Sequence, residues 1–137
     1  YQVARLYGDL NRKDSMEDIL EDLIGMESVS PSNKVEYANV YYRELDNSEM
    51  AVSILSDLQN EYSKIENIIK VKGFSSISNR SWKSWQKAFP DIVSSLVYIY
   101  KSTNQNNEAE QVLVDWILRF PDDTNAKKLL EEVRSLD

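Results

Sequence analysis

The chain has 137 residues, of which 42% are hydrophobic and 28% charged, and its net charge is −7. These values are typical of one folded globular domain, not of a disordered chain. The sequence contains no histidine and no cysteine, which excludes disulfides, cysteine–histidine zinc sites and histidine-dependent nucleophiles. The acidic balance disfavours general nucleic-acid binding, and no apolar run approaches the roughly 20 residues that span a bilayer.

Helical spacing of apolar residues dominates the first half of the chain. With three glycines and three prolines to interrupt it, the pattern predicts an all-α fold of about seven or eight helices. The first helix occupies about residues 1–10, and the second has a strongly acidic outer face. Pro31 opens the third helix, and Asn47 caps a long fourth helix that Gly73 ends. The residues predicted to face inward in the first two helices are Val3, Leu6, Tyr7, Leu10, Met16, Ile19, Leu20, Leu23 and Ile24.

The second half of the chain begins with an insert at residues 73–89. The insert holds a serine-rich loop and then a short helix over about residues 81–88. Pro90 suits the first turn of the next helix, which pairs with its successor in a hairpin at residues 93–121. A last amphipathic helix at residues 123–136 is expected to cover the open edge of this hairpin.

A small residue, Ala109, stands where the two helices of that hairpin are predicted to cross. Its neighbours follow a fixed spacing, with Tyr100 nine residues before, Leu113 four after and Pro121 twelve after. Similar spacing recurs around Ala51 and Met16. The pattern resembles the tetratricopeptide repeat, whose period is roughly 34 residues. Met16 and Ala51 lie close to one period apart, while a longer span before Ala109 indicates an insertion.

The resemblance implies one domain of stacked antiparallel hairpins over residues 1–137. Its repeat units lie at about residues 1–27, 32–72 and 90–121, with the insert and the terminal helix as placed above. In this family the first helices of successive repeats line a concave groove that holds an extended peptide or a helix. We therefore expect a non-enzymatic interaction or scaffold module with a protein or peptide partner.

The family positions that line the groove can be carried over by spacing. They place Arg5, Val40 and Tyr98 at one level of the groove, and Arg43 and Lys101 one turn further along. The three cations among them could meet a carboxylate or an acidic segment of the partner. The alternative is that they are ordinary solvated surface charges.

A second candidate surface is basic inside an otherwise acidic chain. Between residues 64 and 87 the only acid is Glu66, and the cations are Lys64, Lys70, Lys72, Arg80, Lys83 and Lys87. Aromatic residues are interleaved with them, and Trp82 and Trp85 are spaced to share one helix face. Such a combination can bind a phosphate-rich or glycan ligand, or membrane headgroups. Alternatively, the two tryptophans fill a gap beside the overlong fourth helix, and the lysines complement nearby acidic faces.

A third cluster consists of four acids on the second helix: Glu17, Asp18, Glu21 and Asp22. Paired carboxylates can bind a metal or perform acid–base chemistry. Here the sequence supplies no partner base and no metal-binding loop, so the run is interpreted as a solvated helix face. We predict no catalytic residue, no metal and no cofactor.

The stretched helix between degenerate repeat units supports an alternative function. In this respect the chain also resembles the soluble C-terminal tail of some bacterial multi-pass membrane proteins of the O-mannosyltransferase-like kind. That resemblance implies an accessory domain of a membrane glycosyltransferase, with the chemistry in the membrane part. Tyr1 already stands inside a helical pattern and there is no initiator methionine, so we expect a fragment of a longer protein whose parent is free or membrane-anchored. The compartment stays open between the cytoplasm and the bacterial extracytoplasmic space.

Overall fold

A computed structural model describes residues 13–26, 29–73 and 79–136 of the chain. These ranges contain six α-helices and no strand, which confirms the predicted all-α fold. None of the described helices is long and apolar enough to cross a membrane. The helices are α1 (Lys13–Gly25), α2 (Pro31–Arg43), α3 (Ser48–Lys72), α4 (Asn79–Ser102), α5 (Asn106–Arg119) and α6 (Thr124–Arg134).

The structure describes six helices where about seven or eight were predicted. One predicted helix, at residues 1–10, lies outside the described ranges. The short helix of the insert and the first helix of the hairpin are in fact one helix, α4, which passes through Pro90. Proline removes one helical hydrogen bond and crowds the preceding turn, which is why a helix start was expected there. Phe89, Ile92 and Val93 around it are nearly or fully buried, so apolar packing on both sides of Pro90 offsets the lost bond.

Local hydrogen bonds set several helix ends. The hydroxyl of Ser30 accepts a bond from the backbone N–H of Asn33 at 3.2 Å, ahead of the proline that begins α2. The side-chain oxygen of Asn47 accepts from the backbone N–H of Met50 at 3.0 Å, which confirms the predicted cap of α3. Gly73 follows α3 with φ of 81°, a left-handed conformation that glycine adopts without steric cost.

The chain divides into two compact units, Tyr1–Ile92 and Val93–Asp137. In the first unit α2 packs along α3, and α1 packs on α2. In the second unit α5 packs along α6. The division falls where the predicted hairpin begins, but the single repeat domain and its unit boundaries stay a prediction.

The small residues predicted at helix crossings are buried in both units. Ala51 in the first unit and Ala109 in the second have no exposed surface, and Met16 is also fully buried. Tyr42 and Tyr100, which stand nine residues before Ala51 and Ala109, are half-buried, and Tyr7 lies outside the described residues. Small side chains at these positions let neighbouring backbones approach closely, which is what hairpin packing requires.

Candidate functional site

Two of the predicted groove residues, Val40 and Arg43, lie on α2 in the first unit. Arg43 is exposed at the end of the helix, with its guanidinium 3.9 Å from a carboxylate oxygen of Glu36. Val40 is fully buried, so its side chain offers no surface to a partner. Repeat spacing placed Val40 on the groove side of α2, but in the structure it belongs to the buried face of this helix. The buried residues of α2 are Val35, Tyr37, Ala38, Val40 and Tyr41. Arg5 lies outside the described residues.

The other two groove residues, Tyr98 and Lys101, lie on α4 in the second unit. Tyr98 is 62% exposed, while the ammonium of Lys101 lies 3.9 Å from a carboxylate oxygen of Glu132 on α6. Lys101 thus has a partner within its own unit. The groove inferred from repeat spacing stays a prediction.

The two tryptophans of the insert have different surroundings. Trp82 is only 8% exposed, and its ring stacks on Tyr62 of α3 with centroids 5.4 Å apart. Tyr62 also contacts Phe89, at 4.4 Å between ring centroids. Trp82 therefore belongs to an aromatic core cluster that joins α3 to the first half of α4. Trp85 is half-buried and keeps surface for a ligand.

Trp85 lines a cavity of about 870 Å³ in the first unit, here called the cleft. Helix α3 contributes Ile54, Asp57, Leu58 and Glu61, whose spacing of three and four residues places them on one face. The first turns of α2 and α4 and the end of α1 supply the remaining walls. The apolar residues of the cleft are Ile24, Val29, Pro31, Ile54, Leu58 and Trp85, and the charged ones are Lys34, Asp57, Glu61 and Arg80.

The charges of the cleft come as two cations and two carboxylates. Within the described parts of the chain, none of the four forms a salt bridge. Three serines, Ser30, Ser81 and Ser84, add hydroxyl groups. The cleft therefore combines apolar side chains with hydroxyl groups and with charged groups of both signs that a ligand can engage.

The acidic face of α1 has a structural effect. The hydroxyl of Tyr41 donates a hydrogen bond to the backbone carbonyl of Glu17 at 3.4 Å. Burial, and then the nearby carboxylates of Glu21, Glu17 and Asp18, raise the pKa of Tyr41 to about 12. Among the residues that the structure describes, no group of three or more carboxylates is placed to hold a metal ion.

The basic residues of the second candidate surface are all exposed. Among the described residues, Lys70 is the one member that forms a salt bridge, with Glu66 at 3.7 Å and four residues apart. Lys64, Lys70 and Lys72 lie on the last turns of α3, and Arg80, Lys83 and Lys87 lie on α4.

Of the residues that line the cleft, Trp85 and Arg80 were candidates from the sequence alone, and the others were not. The clearest sequence signal for the others was on α3, where acids alternate with aliphatic residues at helical spacing from Ile54 to Glu61. The opposing cations, Lys34 and Arg80, come from two other helices, so only the tertiary structure brings them to the same cavity. Comparisons with protein-family models, curated proteins and solved structures give no match.

Proposed function

We propose that this chain is a non-enzymatic interaction module of the tetratricopeptide kind that binds a short segment of a partner protein in the cleft. The observation that carries the proposal is the cleft itself, about 870 Å³ in volume, which combines six apolar residues with charges of both signs that form no salt bridge among the described residues. A volume of roughly 300–1,000 Å³ is typical of ligand-binding sites.

The repeat assignment within this proposal is supported by the helix crossings. Ala51 and Ala109 are both without exposed surface, and each follows the start of the second helix of a predicted hairpin. In the first unit that hairpin consists of α2 and α3, which pack along each other. The spacing of the repeat and the packing of its small residues are therefore consistent.

The lining of the cleft indicates the kind of segment it binds. Trp85 is half-buried and offers apolar surface for an aliphatic or aromatic side chain of the partner, while Ile54 and Leu58 also line the cleft but are only 9% and 7% exposed. Lys34 and Arg80 can pair with an acidic residue, while the carboxylates on α3 can pair with a basic one. A segment with an apolar anchor flanked by charges of opposite sign is therefore the expected partner.

The proposal is tested with peptides selected from a displayed random library against the intact chain. The three tryptophans give three indole N–H signals in the spectrum of nitrogen-labelled protein, which report on separate places. A selected peptide should shift the Trp85 signal and leave that of Trp116, which is 1% exposed in the second unit, unchanged. Trp85→Ser should weaken binding about 30-fold, as expected for a buried aromatic anchor.

Charge variants supply the matched control for this experiment. Asp57→Lys alters the cleft, whereas Asp122→Lys makes the same change at an exposed position in the second unit. Only the first should change the charge pattern of the selected peptides. Peptides that bind the Trp85→Ser and Asp57→Lys variants as tightly as they bind the wild type would show that the cleft is not the binding site.

A further inference from the structure

The last ten residues of α3 differ from the rest of the helix. All of its buried residues lie between Ala51 and Tyr62, and none lies in the stretch from residue 63 to Lys72. This stretch, here called the terminal segment of α3, nevertheless carries exposed aliphatic residues. Ile68 is 43% exposed and Val71 is 82% exposed. Packing within the described structure therefore does not account for these two side chains.

The exposed aliphatic residues are flanked by lysines. Lys64, Ile68, Val71 and Lys72 follow one another at spacings of four, three and one residues, which places them along one side of the helix. Lys70 lies on the opposite side of the helix, where it pairs with the one acid of the segment, Glu66, at 3.7 Å. The terminal segment thus presents aliphatic side chains within a net positive surface.

The residue types of the terminal segment favour one class of anionic ligand, a bilayer surface, over another, single-stranded nucleic acid. Proteins that bind single-stranded nucleic acid stack the bases on exposed aromatic rings, but the nearby Trp82 is buried against Tyr62. Exposed aliphatic residues between lysines are instead characteristic of helices that lie at the surface of a bilayer.

We propose that the terminal segment of α3 binds an anionic lipid surface. Ile68 and Val71 enter the boundary between headgroups and acyl chains, and Lys64 and Lys72 lie beside the lipid phosphates. The charge complementarity between these two exposed lysines and the anionic headgroups favours this occupant. The terminal segment shares no residue with the lining of the cleft, so variants of one surface can be tested without changing the other.

The test measures co-sedimentation of the intact chain with vesicles of phosphatidylcholine alone and with vesicles that also contain phosphatidylserine. Binding should require the anionic lipid and weaken as salt is added. Replacing Lys64 or Lys72 with glutamine should lower the partition coefficient about fivefold, and replacing both should lower it about 25-fold. Lys70→Gln, on the opposite side of the helix, should change it little. Ile68→Ser combined with Val71→Ser should lower it roughly tenfold.

Matched controls use the second unit. Lys127→Gln with Lys128→Gln changes two exposed lysines on α6, and Leu118→Ser changes a residue that is 75% exposed. Neither should alter partitioning, and circular dichroism should show every variant to be as helical as the wild type. The proposal is overturned if anionic vesicles do not bind the chain, or if the serine double variant binds them as well as the wild type.

Discussion

The two units of this protein use their charged residues differently. In the second unit, several charges are paired: Arg134 lies 3.1 Å from Glu110, and Lys101 lies 3.9 Å from Glu132. The first unit also has ion pairs, Arg43 with Glu36 and Lys70 with Glu66, but its cleft brings together four charged side chains that form no salt bridge among the described residues. Paired charges contribute to packing within a unit, whereas cleft charges with no salt bridge among the described residues are available to a ligand.

The tryptophans show the same difference. Trp116 is 1% exposed in the core of the second unit, while Trp85 lies half-buried in the wall of the cleft. A residue that packs only to stabilise the fold is buried on all sides. A residue that also binds a partner keeps part of its surface free, at some cost in stability.

The largest expected effect is a difference in the free energy of unfolding that is lost when Trp116 or Trp85 is replaced. Trp116→Ala should lower the free energy of unfolding by about 3–5 kcal/mol, because it removes a fully buried aromatic side chain and leaves a cavity. Trp85→Ala should cost about 1 kcal/mol, because much of that ring is already exposed to water. Urea denaturation followed by circular dichroism measures both. Equal losses would mean that Trp85 is a core residue and that the contrast between the units is mistaken.

Much of the fold could be predicted from the sequence, because helices depend on local spacing. The boundaries near Pro31, Asn47 and Gly73 agree with the structure since each reflects a residue's own backbone or side-chain preference. Pro90 was predicted to stand in the first turn of a helix, and this was wrong. The buried residues on either side of it outweigh its local preference, and α4 continues through it. Tertiary packing of this kind is not visible in a spacing pattern.

The candidate site could be predicted only in part. Trp85 was identified as a candidate because aromatic residues among cations stand out in a sequence. Lys34 and Asp57 lie on different helices and become neighbours of the same cavity only after folding. Val40 was assigned to the groove by repeat spacing, and the width of the buried face of α2 could not be known from that spacing.

Alkaline pH is expected to destabilise the first unit, because it ionises the buried hydroxyl of Tyr41. The folded state raises the pKa of this hydroxyl to about 12, from an ordinary value of about 10. The neutral form is therefore favoured in the folded state. Its contribution to stability is fully present below about pH 10 and is lost as the pH rises through 12, by about 3 kcal/mol in total.

Tyr41→Phe isolates this contribution. At neutral pH the variant should lose no more than about 1 kcal/mol, because the hydrogen bond to the carbonyl of Glu17 is long at 3.4 Å and its net value is modest. Between pH 10 and 12 the free energy of unfolding should fall less steeply than in the wild type. Parallel slopes for the two proteins would show that ionisation of Tyr41 does not destabilise the first unit.

The smallest expected effect concerns the ion pair between Arg134 and Glu110 in the second unit. The side chain of Arg134 is 58% exposed, so water and salt screen the attraction, and its coupling energy should be about 0.5 kcal/mol. A double-mutant cycle with Arg134→Ala and Glu110→Ala measures this coupling through urea denaturation.

The matching cycle in the cleft uses Lys34→Ala and Asp57→Ala, which should show no coupling because these groups form no salt bridge in the structure. If the cleft pair instead coupled more strongly than Arg134 and Glu110, its charges would already be satisfied without a ligand, and the cleft would be a structural feature of the first unit.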